Sequence, residues 1–216
     1  MVADRGAERT PTPAPTSSAG AELVALLTAA GQTLACAESL TAGLVAATVA
    51  DTPGASAVLR GGVVAYAAEL KTLLLDVPAA LVSQVGTVDP QVALAMAEGA
   101  RRRLGATWGL ATTGVAGPGP AEGKPAGTVH VAVAGPAGTV TRALRLNGSR
   151  AQIRAGTVEA VLRLAVEQAG ATGATPAPPA EARGTVALAT GPEADRDPTD
   201  PTQRPEGGRD GDTPAT

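Results

Sequence analysis

Thr33-Leu34-Ala35-Cys36-Ala37 is a short apolar run that breaks directly into a polar corner, Glu38-Ser39-Leu40-Thr41-Ala42-Gly43. Behind the corner, Leu44, Val45, Thr48 and Val49 mark one face of a helix that must end before Pro53-Gly54. A buried strand that turns straight into a helix is the unit from which α/β sheets are built. The corner exposes Ser39 and aims the N–H groups of the helix start at whatever binds there. Locally, Ser39 is either a helix cap or a nucleophile.

The rest of the chain repeats this alternation. Leu23, Leu26, Leu27 and Ala30 predict a first helix over about 21–30, closed by Gly31. Gly62-Val63-Val64-Ala65-Tyr66 reads as the next strand. A helix follows whose Leu70, Leu73, Leu74 and Val77 share a face, with Lys71 about 100° round from Leu70 at the edge of that stripe. Asp89-Pro90 is a helix start with Asp as cap, and Val92, Ala95, Met96 and Gly99 form its buried face. Arg101-Arg102-Arg103 then falls in the last turn, where cations complement the helix dipole, and reads as a solvated helix end.

Trp108 to Thr113 is a strand that feeds the glycine-rich loop Gly114 to Pro120. Val129, Val131 and Val133 alternate with small or polar residues, and a second run from Thr139 to Leu146 completes an antiparallel hairpin. A last helix begins near Ser149 and carries Val158, Val161, Leu162 and Ala165. Together these predict a three-layer α/β/α fold: a mixed sheet flanked by helices, with a late antiparallel hairpin. Residues 1–20 and 171–216, dominated by Pro, Thr, Ser, Gly, Asp and Ala, read as a disordered leader and tail around one domain over 21–170. Ligands of such sheets sit beyond the carboxyl ends of the strands, here the corners after Ala37, Tyr66 and Thr113.

Bulk properties narrow the chemistry. A net charge of −3 gives no electrostatic reason for a nucleic-acid or anionic-membrane partner and leaves a small-molecule substrate. One cysteine, Cys36, and one histidine, His130, permit neither a disulfide nor an ordinary zinc site, so no metal or cofactor is expected. With no secretory h-region and no long apolar run, the expected location is cytoplasmic. There is no G-x-S-x-G elbow, no complete P-loop and no G-x-G-x-x-G, and His130 lies mid-strand, away from the loops. Ser39, Tyr66, Lys71 and Thr113 remain, all at strand ends or first helical turns. A lysine can serve a serine nucleophile as base if desolvation makes its neutral amine accessible, and a nearby tyrosine can orient or relay a proton.

The segments Ala37 to Leu44, Gly61 to Tyr66 with Lys71, Thr113 to Pro118, Lys124 to Val129, and Gly148-Ser149-Arg150 with Arg154 resemble, in order, the C-terminal domain of the competence/damage-inducible protein CinA. Stand-alone members of that family are nicotinamide-nucleotide amidases. The resemblance implies metal-free hydrolysis of the carboxamide of nicotinamide mononucleotide, in pyridine nucleotide recycling, by a homo-oligomer. It assigns Ser39 as nucleophile, Lys71 as general base and Tyr66 as supporting hydroxyl. Thr41, Thr113 and Gly114 fall on the substrate side, and Arg150 or Arg154 pairs with the nucleotide phosphate. Two residues depart from the family pattern: Leu40 stands where Cys is usual, and Ala42 where Gly is usual. Leu40 adds bulk at the corner, and Ala42 restricts a backbone that glycine leaves free. The alternative reading is a catalytically silent domain of the same fold that binds a nucleotide or a protein.

Overall fold

Strand β1 (Leu34–Glu38) is buried along its whole length, as expected of a strand with neighbours on both edges and helices on both faces. In the computed structural model, which describes residues 17–171, it pairs in parallel with β2 (Leu59–Val64) and β3 (Trp108–Gly114). Strand β3 pairs antiparallel with β4 (Thr128–Gly135), and β4 with β5 (Gly138–Arg145). The five-stranded sheet has the order β2-β1-β3-β4-β5, the mixed sheet with a late hairpin that the sequence predicts. For residues 1–16 and 172–216, the expected leader and tail lie outside the described residues.

The two sheet faces are built differently. Leu34 and Cys36 of β1, Leu110 of β3, and Val129, Val131 and Val133 of β4 point to one side. There they meet α1 (Ser18–Ala29), α2 (Leu44–Ala50) and α6 (Arg150–Ala171). Ala35, Ala37, Ala111, Ala132 and Ala134 point to the other side, against α3 (Ala68–Leu75), α4 (Ala79–Val85) and α5 (Pro90–Arg103). Alanines let α5 approach closely, and at Gly109 a Cβ would overlap the Ala97 carbonyl oxygen. Among the described residues no helix is long and apolar enough to cross a membrane.

Several boundaries differ from the sequence reading, each for a local reason. Helix α1 starts at Ser18, before the apolar period begins, because the Ser17 hydroxyl caps Gly20 N–H at 3.4 Å. The helix that reads through Val77 stops at Leu75, since Asp76 turns into the left-handed conformation, and the short helix α4, which the sequence reading lacks, follows with Pro78 as its N-cap. Half of the predicted stripe faces the core: Leu70 and Val77 pack inward, whereas Leu73 and Leu74 are 69% and 40% exposed and Lys71 and Leu75 are buried instead. The Asp89 cap of α5 is as expected, its carboxylate accepting from Gln91 N–H at 2.8 Å. Arg102 and Arg103 at its far end pair with Asp76, and Arg101 donates to the Thr107 carbonyl.

Chain direction brings the three corners together. Strand β2 lies on one side of β1 and β3 on the other, so the connections diverge at β1, the switch point at which open α/β sheets bind ligands. The corners are laced to each other: Ser39 N–H donates to the Thr112 carbonyl at 3.0 Å, and Ala65 N–H to the Glu38 carbonyl at 2.9 Å. The close α5 contact gives a direct test. Gly109→Ala is expected to lower unfolding stability by about 3 kcal/mol in denaturant titration, because overpacking there meets main chain that cannot yield.

Candidate active site

Gly43 begins α2 with φ of 95° and has no side chain with which to cap the helix. Its cap comes from the preceding strand. The buried Glu38 carboxylate accepts from Gly43 N–H (2.9 Å), Val45 N–H (3.0 Å) and Ala46 N–H (2.9 Å). A carboxylate at a helix N-terminus satisfies orphan donors and the helix dipole together. It also corrects the expectation that these N–H groups face the ligand. The donors left at the corner are Leu40 N–H and Thr41 N–H, which have no acceptor among the described residues.

The corner is braced from two further sides. Arg154 on α6 donates to the Leu40 carbonyl at 3.0 Å and the Thr41 carbonyl at 2.7 Å. The Thr41 hydroxyl is buried against the Thr112 hydroxyl at 2.7 Å. Leu40 is 3% exposed and packs into the core beneath the corner, so its bulk is absorbed away from Ser39. Ala42 carries the strain instead, at φ of 50°.

Lys71 meets Ser39 from the second corner. Its side chain is 1% exposed, and its Nζ donates to Ser39 Oγ (3.2 Å), the Ala65 carbonyl (2.8 Å) and the Tyr66 carbonyl (3.4 Å). Burial holds the ammonium below the usual lysine pKa, partly opposed by the Glu122 and Glu69 carboxylates. A half-buried serine hydroxyl in contact with a desolvated amine is the geometry that a serine nucleophile with a lysine base requires.

The other predicted residues divide by position. Tyr66 serves Lys71 through its carbonyl, while its exposed hydroxyl accepts from Arg150 Nη2 at 2.8 Å. Arg150 also donates to the Gly117 carbonyl at 2.9 Å, so it joins the β2 corner, the β3–β4 loop and the start of α6. Ser149 and Gln152 cap that helix start reciprocally. Of the two arginines, Arg154 is committed to the corner carbonyls and Arg150 is the exposed one. Thr113 is fully buried, and its hydroxyl donates to the Thr87 carbonyl at 2.7 Å. Gly114 ends β3 at φ of 158°, where a Cβ would press on Thr128 and Val129. His130 sits on β4 opposite Thr113 with its Nδ1 buried and unpartnered among the described residues.

Glu38, Thr112 and Glu122 were not picked out from the sequence. Glu38 did leave a signal, an acid placed just ahead of a helix that opens on glycine. Thr112 and Glu122 act only through contacts across the fold and leave none. Ala42→Gly is expected to raise unfolding stability by about 1 kcal/mol, since glycine adopts the left-handed conformation without Cβ strain; thermal or denaturant unfolding reads it.

The match to the family model of the CinA C-terminal domain covers residues 16–169. A CinA-like protein of Frankia casuarinae is 54% identical over 142 residues, covering 66% of this chain and 33% of the relative. The chain thus spans about a third of the length of the curated relatives it matches. A crystal structure of the competence/damage inducible protein CihA from Agrobacterium tumefaciens superposes with a TM-score of 0.69 at 32% identity, covering 74% of this chain and 98% of that one. A CinA superfamily protein from Klebsiella pneumoniae superposes with a TM-score of 0.70 at 28% identity, covering 73% and 99%. The Ser39 corner, the Lys71 helix and the Arg150 helix start all fall inside the matched region, and the chain belongs to the CinA C-terminal domain family.

Proposed function

We propose that this chain is an amidohydrolase that converts nicotinamide mononucleotide to nicotinic acid mononucleotide and ammonia. The observation that carries the reading is the 3.2 Å contact between Lys71 Nζ and Ser39 Oγ, on motifs the chain shares with amidases of its family. Ser39 Oγ attacks the carboxamide carbon as its proton passes to the neutral Lys71 amine. The oxyanion is taken up by Leu40 N–H and Thr41 N–H, a role in which each donor is typically worth on the order of 10² to 10³ in rate. Lys71 returns the proton to the departing nitrogen and ammonia leaves. A water molecule, deprotonated by the same amine, then splits the acyl-enzyme and frees the carboxylate product.

The remaining residues supply binding and support. Arg150 faces solvent beside the Gly117 loop and is the cation for the phosphate, while Arg154 and Glu38 hold the corner in shape. Buried Leu40 leaves Ser39 and Lys71 in contact, which supports a working site over the silent-domain alternative. A cytoplasmic setting suits a chain whose one cysteine is a free, buried thiol.

Purified protein is expected to release ammonia from nicotinamide mononucleotide, and Ser39→Ala to reduce that rate by about 10³ or more. Full activity in the variant removes Ser39 as nucleophile; no release by the unmodified protein removes this substrate. Because the base must be neutral and its pKa is depressed, the rate should rise with pH through a midpoint below the roughly 10.4 of a free lysine. Lys71→Met should abolish that rise. Arg150→Ala is expected to raise KM for the mononucleotide about tenfold, and to leave KM for the riboside, which lacks the phosphate, unchanged.

A further inference from the structure

The loop between β3 and β4 returns on itself in a tight turn, Ala121 and Lys124 exchanging main-chain hydrogen bonds of 3.0 and 2.9 Å. Glu122 and Gly123 at its tip both have positive φ, 51° and 69°. The turn presents the Glu122 carboxylate to the segment that joins α4 to α5. There it accepts from Thr87 N–H at 2.8 Å, from the Thr87 hydroxyl, and from Val88 N–H at 3.3 Å. Gly86 lies so close that a Cβ on it would overlap Glu122 Oε2. Thr87 is therefore gripped on both sides, since its carbonyl takes the Thr113 hydroxyl at the end of β3.

This clamp lies outside the nucleophile, base and phosphate assignments, yet it ties the tip of the β3–β4 loop and the end of β3 to one segment. Its charge also reaches the site. Glu122 is one of the two carboxylates that act on Lys71; the other, Glu69, lies on the lysine's own helix. As Ser39 Oγ bonds to the electrophilic centre and its proton passes to Lys71, the amine becomes a buried cation whose partners in the protein are the now ester-like Ser39 oxygen and the Ala65 and Tyr66 carbonyls. A carboxylate held in place by the clamp, with the Lys124 ammonium on the same turn as its opposing charge, stabilises that cation more than the neutral amine.

We propose that Glu122 is a positioning residue of the Ser39–Lys71 site, clamping the β3–β4 loop to Thr87 and supplying the negative charge that offsets the proton on Lys71. The assignment rests on the serine–lysine reading given above, and its test is chosen to be independent of the substrate. A fluorophosphonate probe labels an activated serine without any nucleotide, so the pH dependence of Ser39 labelling reports the base directly. Glu122→Gln keeps an acceptor oxygen for the loop and removes the charge. It should move the labelling midpoint down by about half a pH unit, with Thr87 and Val88 amide exchange within about threefold of the unmodified protein. Glu122→Ala should shift the midpoint similarly and speed exchange of those two amides at least tenfold.

A midpoint unchanged in both variants overturns the electrostatic role, and unchanged exchange in Glu122→Ala overturns the clamp. Absence of Ser39 labelling in the unmodified protein overturns this inference and the serine–lysine reading together. Labelling that shifts as expected in a protein releasing no ammonia from nicotinamide mononucleotide upholds the role of Glu122 and removes only the substrate.

Discussion

Sealing a lysine amine at the carboxyl end of the sheet is the constraint around which this molecule is arranged. An ammonium taken out of water loses several kcal/mol of solvation, and only well-placed acceptors make that tolerable. Lys71 finds them in two main-chain carbonyls of the β2 corner and in Ser39 Oγ. The arrangement overrides the helix's own apolar pattern. With Lys71 and Leu75 turned inward, Leu73 remains 69% exposed and forgoes about 2 kcal/mol of burial. In the proposed mechanism the same burial that makes the position costly is what favours the neutral, proton-accepting amine.

Holding Ser39 opposite that amine requires a corner that cannot relax. Strand β1 would otherwise enter α2 through Ala42 and Gly43, both in left-handed conformations, with no side chain of its own to cap the helix. Glu38 closes the helix start from the strand side, Arg154 ties down two corner carbonyls from α6, and the Thr41–Thr112 pair locks the corner to β3. These bonds use up nearly every polar group of the corner. What they leave is a serine hydroxyl and two adjacent N–H donors, the inventory that acyl transfer needs.

Much of this was legible beforehand because it is local. Period-2 and period-3.6 patterns, the Asp89-Pro90 start and the glycine-rich punctuation locate all five strands and every helix except α4. The Ser39 and Thr113 positions follow from strand ends and that of Lys71 from the first turn of a helix, and the mixed sheet follows from the order of elements. The α3 face was misread because a hydrophobic stripe counts apolar residues without knowing which polar one must be satisfied inside. The use of the α2 N–H groups was misread for a similar reason: which acceptor reaches them depends on a carboxylate five to eight residues earlier pointing back across the corner.

The sequence by itself determined the α/β class, the strand-end placement of Ser39 and the family to which its motifs point, since these depend on residue type and short-range spacing. Tertiary structure alone decided the rest. It put Lys71 against Ser39 over a separation of 32 residues, set the exposed Arg150 on Gly117 and Tyr66 and Arg154 on the corner, and set Glu122 on the Thr87 segment. Each of these is a contact between distant segments, and its energy depends on burial and on the angle at which packed elements meet. Neither quantity is encoded in any short stretch of chain.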